Sequence, residues 1–179
     1  MEAADRVGIA RAFILSNRIG DYLSVGFRRW ASSNLLVPDR ATSSRGILVE
    51  LHHDESVAVG VDLSANLPTP GYGPPVDANN LRLVVDEAVA LADTHRLHRS
   101  ADAPIEMAAT VLAPETNRRL VPFDPDFGRM RQVEETRHPK KLRPASSVLT
   151  PNAGDAALRA CAYELNSGLL HQFGMEVRR

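Results

Sequence analysis

The stretch GILVELHHDESVAVGVDL, residues 46–63, reads as two β-strands joined by a short polar turn. Ile47, Val49 and Leu51 alternate with Leu48, Glu50 and His52. Val57, Val59, Val61 and Leu63 alternate in the same way with Ala58, Gly60 and Asp62. A period of two sends each set to its own face of a strand, and β-branched residues dominate the apolar set, as suits a half-buried strand. His53-Asp54-Glu55-Ser56 has the length and polarity of a hairpin connection. Gly60 inside the second strand suggests a bulge or a close backbone approach. A lone hairpin is marginally stable at best, so further strands or a helix must cover its apolar face.

Working outward, residues 3–31 carry a helical pattern, with Ile9, Phe13, Leu15, Ile19, Tyr22, Leu23, Phe27 and Trp30 at three- and four-residue spacing. Gly8, Gly20 and Gly26 each weaken a helix by about 1 kcal/mol relative to alanine, which allows a break near residues 17–21. Leu35-Leu36-Val37 is a short apolar run stopped by Pro38. After the hairpin, residues 66–79, NLPTPGYGPPVDAN, form a proline-rich loop, because Pro68, Pro70, Pro74 and Pro75 donate no hydrogen bonds and hold their predecessors extended. Loops of that length are often functional; the plainer reading is a crossover from the sheet edge to the next helix. Leu81, Val84, Val85, Ala88, Leu91 and Ala92 define a helix over residues 80–97, which Asp77 or a following asparagine can cap. Residues 105–112 and 119–123 bracket a Pro114/Asn117 turn and predict a second hairpin, whose last strand Pro122 confines to an edge or a short length. Residues 124–150 form a basic, polar loop with room for a turn or two of helix near 130–136. A last helix over 155–173 has the stripe Leu158, Cys161, Ala162, Leu165, Leu169 and Phe173, and Gly174 is its stop.

The expected order is therefore α-ββ-α-ββ-α. It predicts a single α+β domain over residues 1–179: an antiparallel sheet of about four strands from two hairpins, with three main helices mostly on one face. This order of elements resembles that of small secretion-chaperone folds, which are homodimeric binding proteins. The resemblance implies a chaperone-like homo-oligomer and rests on element order, with no motif beside it.

Composition narrows the functional classes. The 179 residues, 44% hydrophobic and 24% charged, are ordinary for one globular domain. A net charge of −1 argues against a general nucleic-acid or membrane surface. Cys161 is the sole cysteine, which excludes an internal disulfide and a multi-cysteine metal site. Its helical setting suits a small buried hydrophobe better than a nucleophile. No apolar run is long enough for a membrane span, and the acidic start, Glu2 and Asp5, is unlike a signal peptide, so a cytoplasmic location is expected.

Four places could hold chemistry. His52, His53, Asp54 and Glu55 are metal-ligand types at one turn. Adjacent strand residues point to opposite faces, however, so the two histidines do not reach one ion without distortion, and a solvated turn is the competing reading. His95 and His98 are helical neighbours, but Arg96 and Arg99 flank them, which disfavours a cation and suits a basic helix C-terminus. Arg118, Arg119, Arg129, Arg131, Arg137, Lys140, Lys141 and Arg143 face four acids, Asp124, Asp126, Glu134 and Glu135, a local net of +4 that leaves −5 on the rest of the chain. With Phe123 and Phe127 alongside, this is the composition of an anion or nucleic-acid contact, and equally of a solvated loop or a surface for an acidic partner; no RNA- or DNA-binding fingerprint accompanies it. Finally, a helix bearing Arg28 and Arg29 with the first hairpin as a wing would make a winged helix, yet Glu50, Asp54, Glu55 and Asp62 would repel phosphates.

Enzymatic templates are missing: no G-x-S-x-G elbow, no Walker lysine loop, no G-x-G-x-x-G and no H-E-x-x-H. The sequence therefore assigns no catalytic, cofactor-binding or metal residue and no cofactor. It predicts a non-catalytic binding or assembly protein, self-associating and presenting a surface to a protein partner, with no membrane role. A nucleic-acid-associated protein using residues 118–143 is the alternative. An enzyme without a recognisable motif, with His52, His53, His95 and His98 as candidates, is the second alternative.

Overall fold

The computed structural model describes residues 23–26, 29–33, 46–64, 67, 71, 73–99, 102–113, 118–126, 129–133, 137–152 and 154–177. Along these the elements are β1 (Leu23–Gly26), β2 (Arg29–Ser33), β3 (Ile47–His52), β4 (Val57–Val61), β5 (Pro75–Asp77), α1 (Ala78–His98), β6 (Ile105–Ala109), β7 (Val121–Asp126), β8 (Arg129–Gln132), β9 (Ala145–Leu149) and α2 (Asp155–Leu170), the last followed by a 3-10 turn at His171–Phe173. The class is mixed α and β. The architecture differs from the expected one: among the described residues there are two main helices, and the strands fall into three small sheets, ordered β1-β2-β3-β4, β5-β7-β8 and β6-β9.

The first hairpin, β3–β4, forms in regular register, with Ile47 opposite Val61 and Leu51 opposite Val57. Gly60 sits opposite Leu48 without a bulge, and a Cβ there would meet the Leu48 Cβ at an ordinary 3.8 Å, so neither special role expected of it applies. The other edge of β3 is covered by β2, and β1 follows antiparallel. The end of the expected first helix is thus two strands, and the winged-helix reading falls with it. Gly26 weakens a helix, whereas Val25 and Trp30 are strand formers, and β2 has the β3 edge to pair with. Arg29 reaches across to Glu50, Nη1 to Oε1 at 2.8 Å. Residues 3–22 of that helix and the Leu35-Leu36-Val37 run lie outside the described residues.

The second expected hairpin does not form either. β6 pairs with β9, antiparallel, with Ile105 opposite Leu149 and Ala109 opposite Ala145. β7 pairs parallel with β5 and antiparallel with β8. Local alternation marks a strand but not its partner, and the in-facing Ala145, Ser147 and Leu149 offer β6 a better buried face than a strand containing Pro122. The stretch expected to be a basic loop, residues 124–150, therefore contains β8 and β9. The stretch expected to be a proline-rich loop contains β5, with Pro75 as its first residue, a position where a strand tolerates proline. With the α-ββ-α-ββ-α order gone, the resemblance to secretion-chaperone folds has no basis.

Both helices follow their apolar stripes. Asp77 caps α1, its Oδ1 accepting the Asn80 N–H at 2.9 Å while the Asn80 amide donates to Oδ2. α2 and its 3-10 extension end at Gly174, in the left-handed region at φ 78°. α2 packs on α1 and on β9. It comes close to β9 at Gly168, where an added Cβ would come within 2.7 Å of the Ala145 Cβ. The buried core lies in this half: Val85 and Val89 of α1, Leu158, Leu165 and Leu169 of α2, Leu149 of β9, and Phe173. Among the described residues the four-stranded sheet contributes one fully buried hydrophobic side chain, Ile47.

Candidate binding groove

β4 and β6 both rest on α1, yet they belong to different sheets. Between them runs a groove of about 800 Å³, within the usual range for ligand sites of ~300–1,000 Å³. Leu81, Val84, Val85, Ala88 and Ala92 of α1 form its floor, and Val57, Val59 and Val61 of β4 and Ile105, Met107 and Ala109 of β6 point into it. These strand residues are half-buried, while their alternates Ala58, Gly60, Glu106 and Ala108 are exposed. All residues from 59 to 64 and from 103 to 112 line the groove, in-facing and out-facing alike. A strand does this when its edge, and not just one of its faces, borders a cavity.

The hydrogen-bond parity of β4 shows which atoms lie on that edge. Asp62 N–H donates to the Gly46 carbonyl at 2.8 Å and His52 N–H to the Ser56 carbonyl at 2.9 Å. Antiparallel ladders alternate bonded and non-bonded pairs, so Ala58 and Gly60 carry the bonds to β3 between these two points. Val57, Val59 and Val61 direct their N–H and C=O groups away from β3. The same parity places the Leu63 carbonyl on the outer side, where it accepts the Asp77 N–H at 3.0 Å. β5 thus begins to cover the outer edge of β4, but α1 starts at Ala78 and the chain turns away. From Val57 to Val61 the edge has no partner strand among the described residues, and neither does the outer edge of β6.

The charges at the groove are mostly acidic. Asp54, Glu55, Asp62 and Glu106 line it, against Arg96 as the one lining cation among the described residues. Arg96 is buried and committed: it pairs with Asp93 and donates to the Thr150 carbonyl at 3.0 Å. Asp54 accepts the Ser56 hydroxyl at 2.7 Å and backbone N–H at 3.0 Å, which hold its carboxyl below the usual range. Asp62 accepts the same two bonds from Ser64.

The histidines do not assemble. His52 Nε2 lies 3.2 Å from Glu50 Oε2, His53 is exposed at the turn, and His98 Nδ1 lies 2.8 Å from the Thr94 carbonyl. His95 is half-buried, its Nε2 has no hydrogen-bond partner, and burial together with Arg99 lowers its pKa. Among the described residues no three His, Cys, Asp or Glu side chains could hold a metal ion. Cys161 is buried, its thiol pKa raised by burial, with Sγ 3.7 Å from Met107 Sδ. No described helix is long and apolar enough to cross a membrane.

The basic residues partly converge. Arg119, Arg137 and Lys140 surround a cleft of about 530 Å³ with His138, Pro139 and Gln172. Backbone bonds anchor its walls: Leu120 N–H to the Pro139 carbonyl and Arg137 N–H to the Phe173 carbonyl, both 2.8 Å. Gln172 fastens the same loop to α2, accepting from Arg143 N–H at 2.7 Å and donating to its carbonyl at 2.9 Å. Arg118 sits apart, 3.5 Å from the Gly71 carbonyl; Lys141 and Arg143 are exposed outside the cleft; and Arg129 and Arg131 lie in β8 opposite Asp126 and Asp124. Phe123 is buried in the core and offers no stacking surface, and Phe127 lies outside the described residues.

Sequence reasoning passed over the groove, because Val57, Val59, Val61, Ile105 and Met107 carry the same pattern whether their strand edges are paired or not. Compared with known protein families, curated proteins and solved structures, the chain matches none.

Proposed function

We propose that this chain is a non-catalytic binding protein that holds an apolar segment of a protein partner in the groove bounded by β4, β6 and α1. The observation that carries the proposal is the half-buried row Val57, Val59, Val61, Ile105 and Met107 around a space of about 800 Å³ over the apolar face of α1. Covering that row would remove apolar surface from water at roughly 25 cal/mol per Å². An environment-sensitive apolar fluorophore tests it. The dye should bind the native chain, and Ala88→Trp, which fills the floor, should abolish the signal while circular dichroism stays native. An unchanged signal in that variant would overturn the assignment.

A second reading rests on the cleft of Arg119, Arg137 and Lys140, a compact cationic surface suited to phosphate or carboxylate. On this reading a labelled single-stranded oligonucleotide binds more weakly as salt rises, and combined Arg119→Ala, Arg137→Ala and Lys140→Ala removes the binding. Salt-independent binding, or no effect of the triple change, would exclude it.

A further inference from the structure

We infer that the groove's occupant is an extended partner segment that adds a strand to the outer edge of β4, with apolar residues facing α1 and basic residues facing outward. This deepens the groove reading above and rests on it. Three observations converge. Val57, Val59 and Val61 present their backbone N–H and C=O groups to the groove, three donors and three acceptors at strand spacing. An added strand pairs with these groups and sends alternate side chains inward, as in other cases of strand addition. Just beyond the end of β4 the outward Leu63 carbonyl already accepts a backbone N–H, that of Asp77, so this side of the strand is open to a backbone partner.

The inward side chains of such a strand meet Val84 and Ala88 of α1. The outward ones emerge between the small exposed residues Ala58 and Gly60 on one side and Glu106 and Ala108 on the other. Small neighbours leave room for long side chains, and Glu106, with Asp62 and Asp54 at the ends of β4, sets the preferred sign as positive. The same charges argue against a second copy of this chain. Two β4 strands paired antiparallel would bring Asp54 and Glu55 of one copy against Asp62 of the other, an acidic pairing that Arg99, 3.7 Å from Glu55, offsets only in part.

The test uses fluorescein-labelled ten-residue peptides of alternating valine and lysine, read by anisotropy on the full chain beside the apolar fluorophore. The valine–lysine peptide should bind saturably, and a valine–glutamate peptide at least tenfold more weakly. Val59→Pro removes an outward N–H and spares the β3 ladder; it should cut peptide affinity tenfold or more. An N-methylated valine–lysine peptide, tested on the native chain, should show the same loss without relying on a variant that folds. Equal binding of the two charge patterns, or full binding of the N-methylated peptide, would overturn the inference. Dye binding without peptide binding would sink strand addition and leave the groove reading standing; loss of both would sink the two together. A dimer by light scattering that Val59→Pro converts to a monomer would replace the basic segment with a second copy.

Discussion

β6 and β9 are partners in one two-stranded sheet, and they have opposite fates. On β9 the in-facing Ala145, Ser147 and Leu149 are all buried, because α2 lies directly over them. On β6 the in-facing Ile105, Met107 and Ala109 are only half-buried, because none of the described residues covers the side towards β4. β4 repeats the β6 pattern across the groove. One helix layer thus seals one side of the molecule and leaves the other as a trough. The difference arises from the next element along the chain: β9 leads into α2, which folds back on it, whereas β4 leads to a three-residue β5 that turns into α1 before the edge is covered.

Truncating one in-facing residue on each strand should show the largest difference between the two sides. Leu149→Ala, at 1% exposure, should cost about 2–5 kcal/mol in chemical denaturation. Met107→Ala on the partner strand should cost about 1 kcal/mol or less, since much of its surface already meets the groove. Equal losses would mean that the two sides are equally sealed.

Gly168 probes how tightly the sealed side is closed. A methyl there collides with Ala145, so Gly168→Ala should cost about 1–3 kcal/mol despite the higher helix propensity of alanine. A more stable variant would show that α2 is free to slide on β9.

Asp86 sharpens the account of the α1–α2 contact. Burial raises its pKa from 3.8 to about 6, and its Oδ1 accepts the Asn166 amide at 2.8 Å while Asn166 Oδ1 is buried without a partner. The folded chain holds this proton more tightly than the unfolded chain does. Its contribution to stability is therefore full below 3.8 and is lost as pH rises to about 6. Asp86→Asn mimics the protonated form and supplies a donor for Asn166 Oδ1. It should stabilise the protein at pH 7 by on the order of 1–3 kcal/mol and flatten this part of the pH profile, measured by thermal melts across the window. A destabilised variant at pH 7 would contradict that cause.

How much of this the sequence announced depends on the range of each interaction. The β3–β4 hairpin, the Asp77 cap, both apolar stripes and the Gly174 stop are set within a few residues, and local pattern exposes them. The pairing of β6 with β9 and of β5 with β7 joins residues some forty apart, and alternation is silent about partners. Helical spacing misled at Leu23 and Trp30, because strand formers spaced by chance also fit a helix stripe; the pairing of β2 on β3 and of β1 on β2 decided the matter. Three of the eight candidate basic residues, Arg119, Arg137 and Lys140, do meet at one cleft. The groove was illegible because it consists of what is unpaired.

The outward groups of β4 are the centre of the account, and amide hydrogen exchange on the chain alone tests them. Ala58 and Gly60 donate to β3 and should exchange slowly. Val57, Val59 and Val61 should exchange at least tenfold faster and become protected when the valine–lysine peptide is added. Uniform protection along β4 in the free chain would mean that its edge is already paired, and the groove would then not be a binding site.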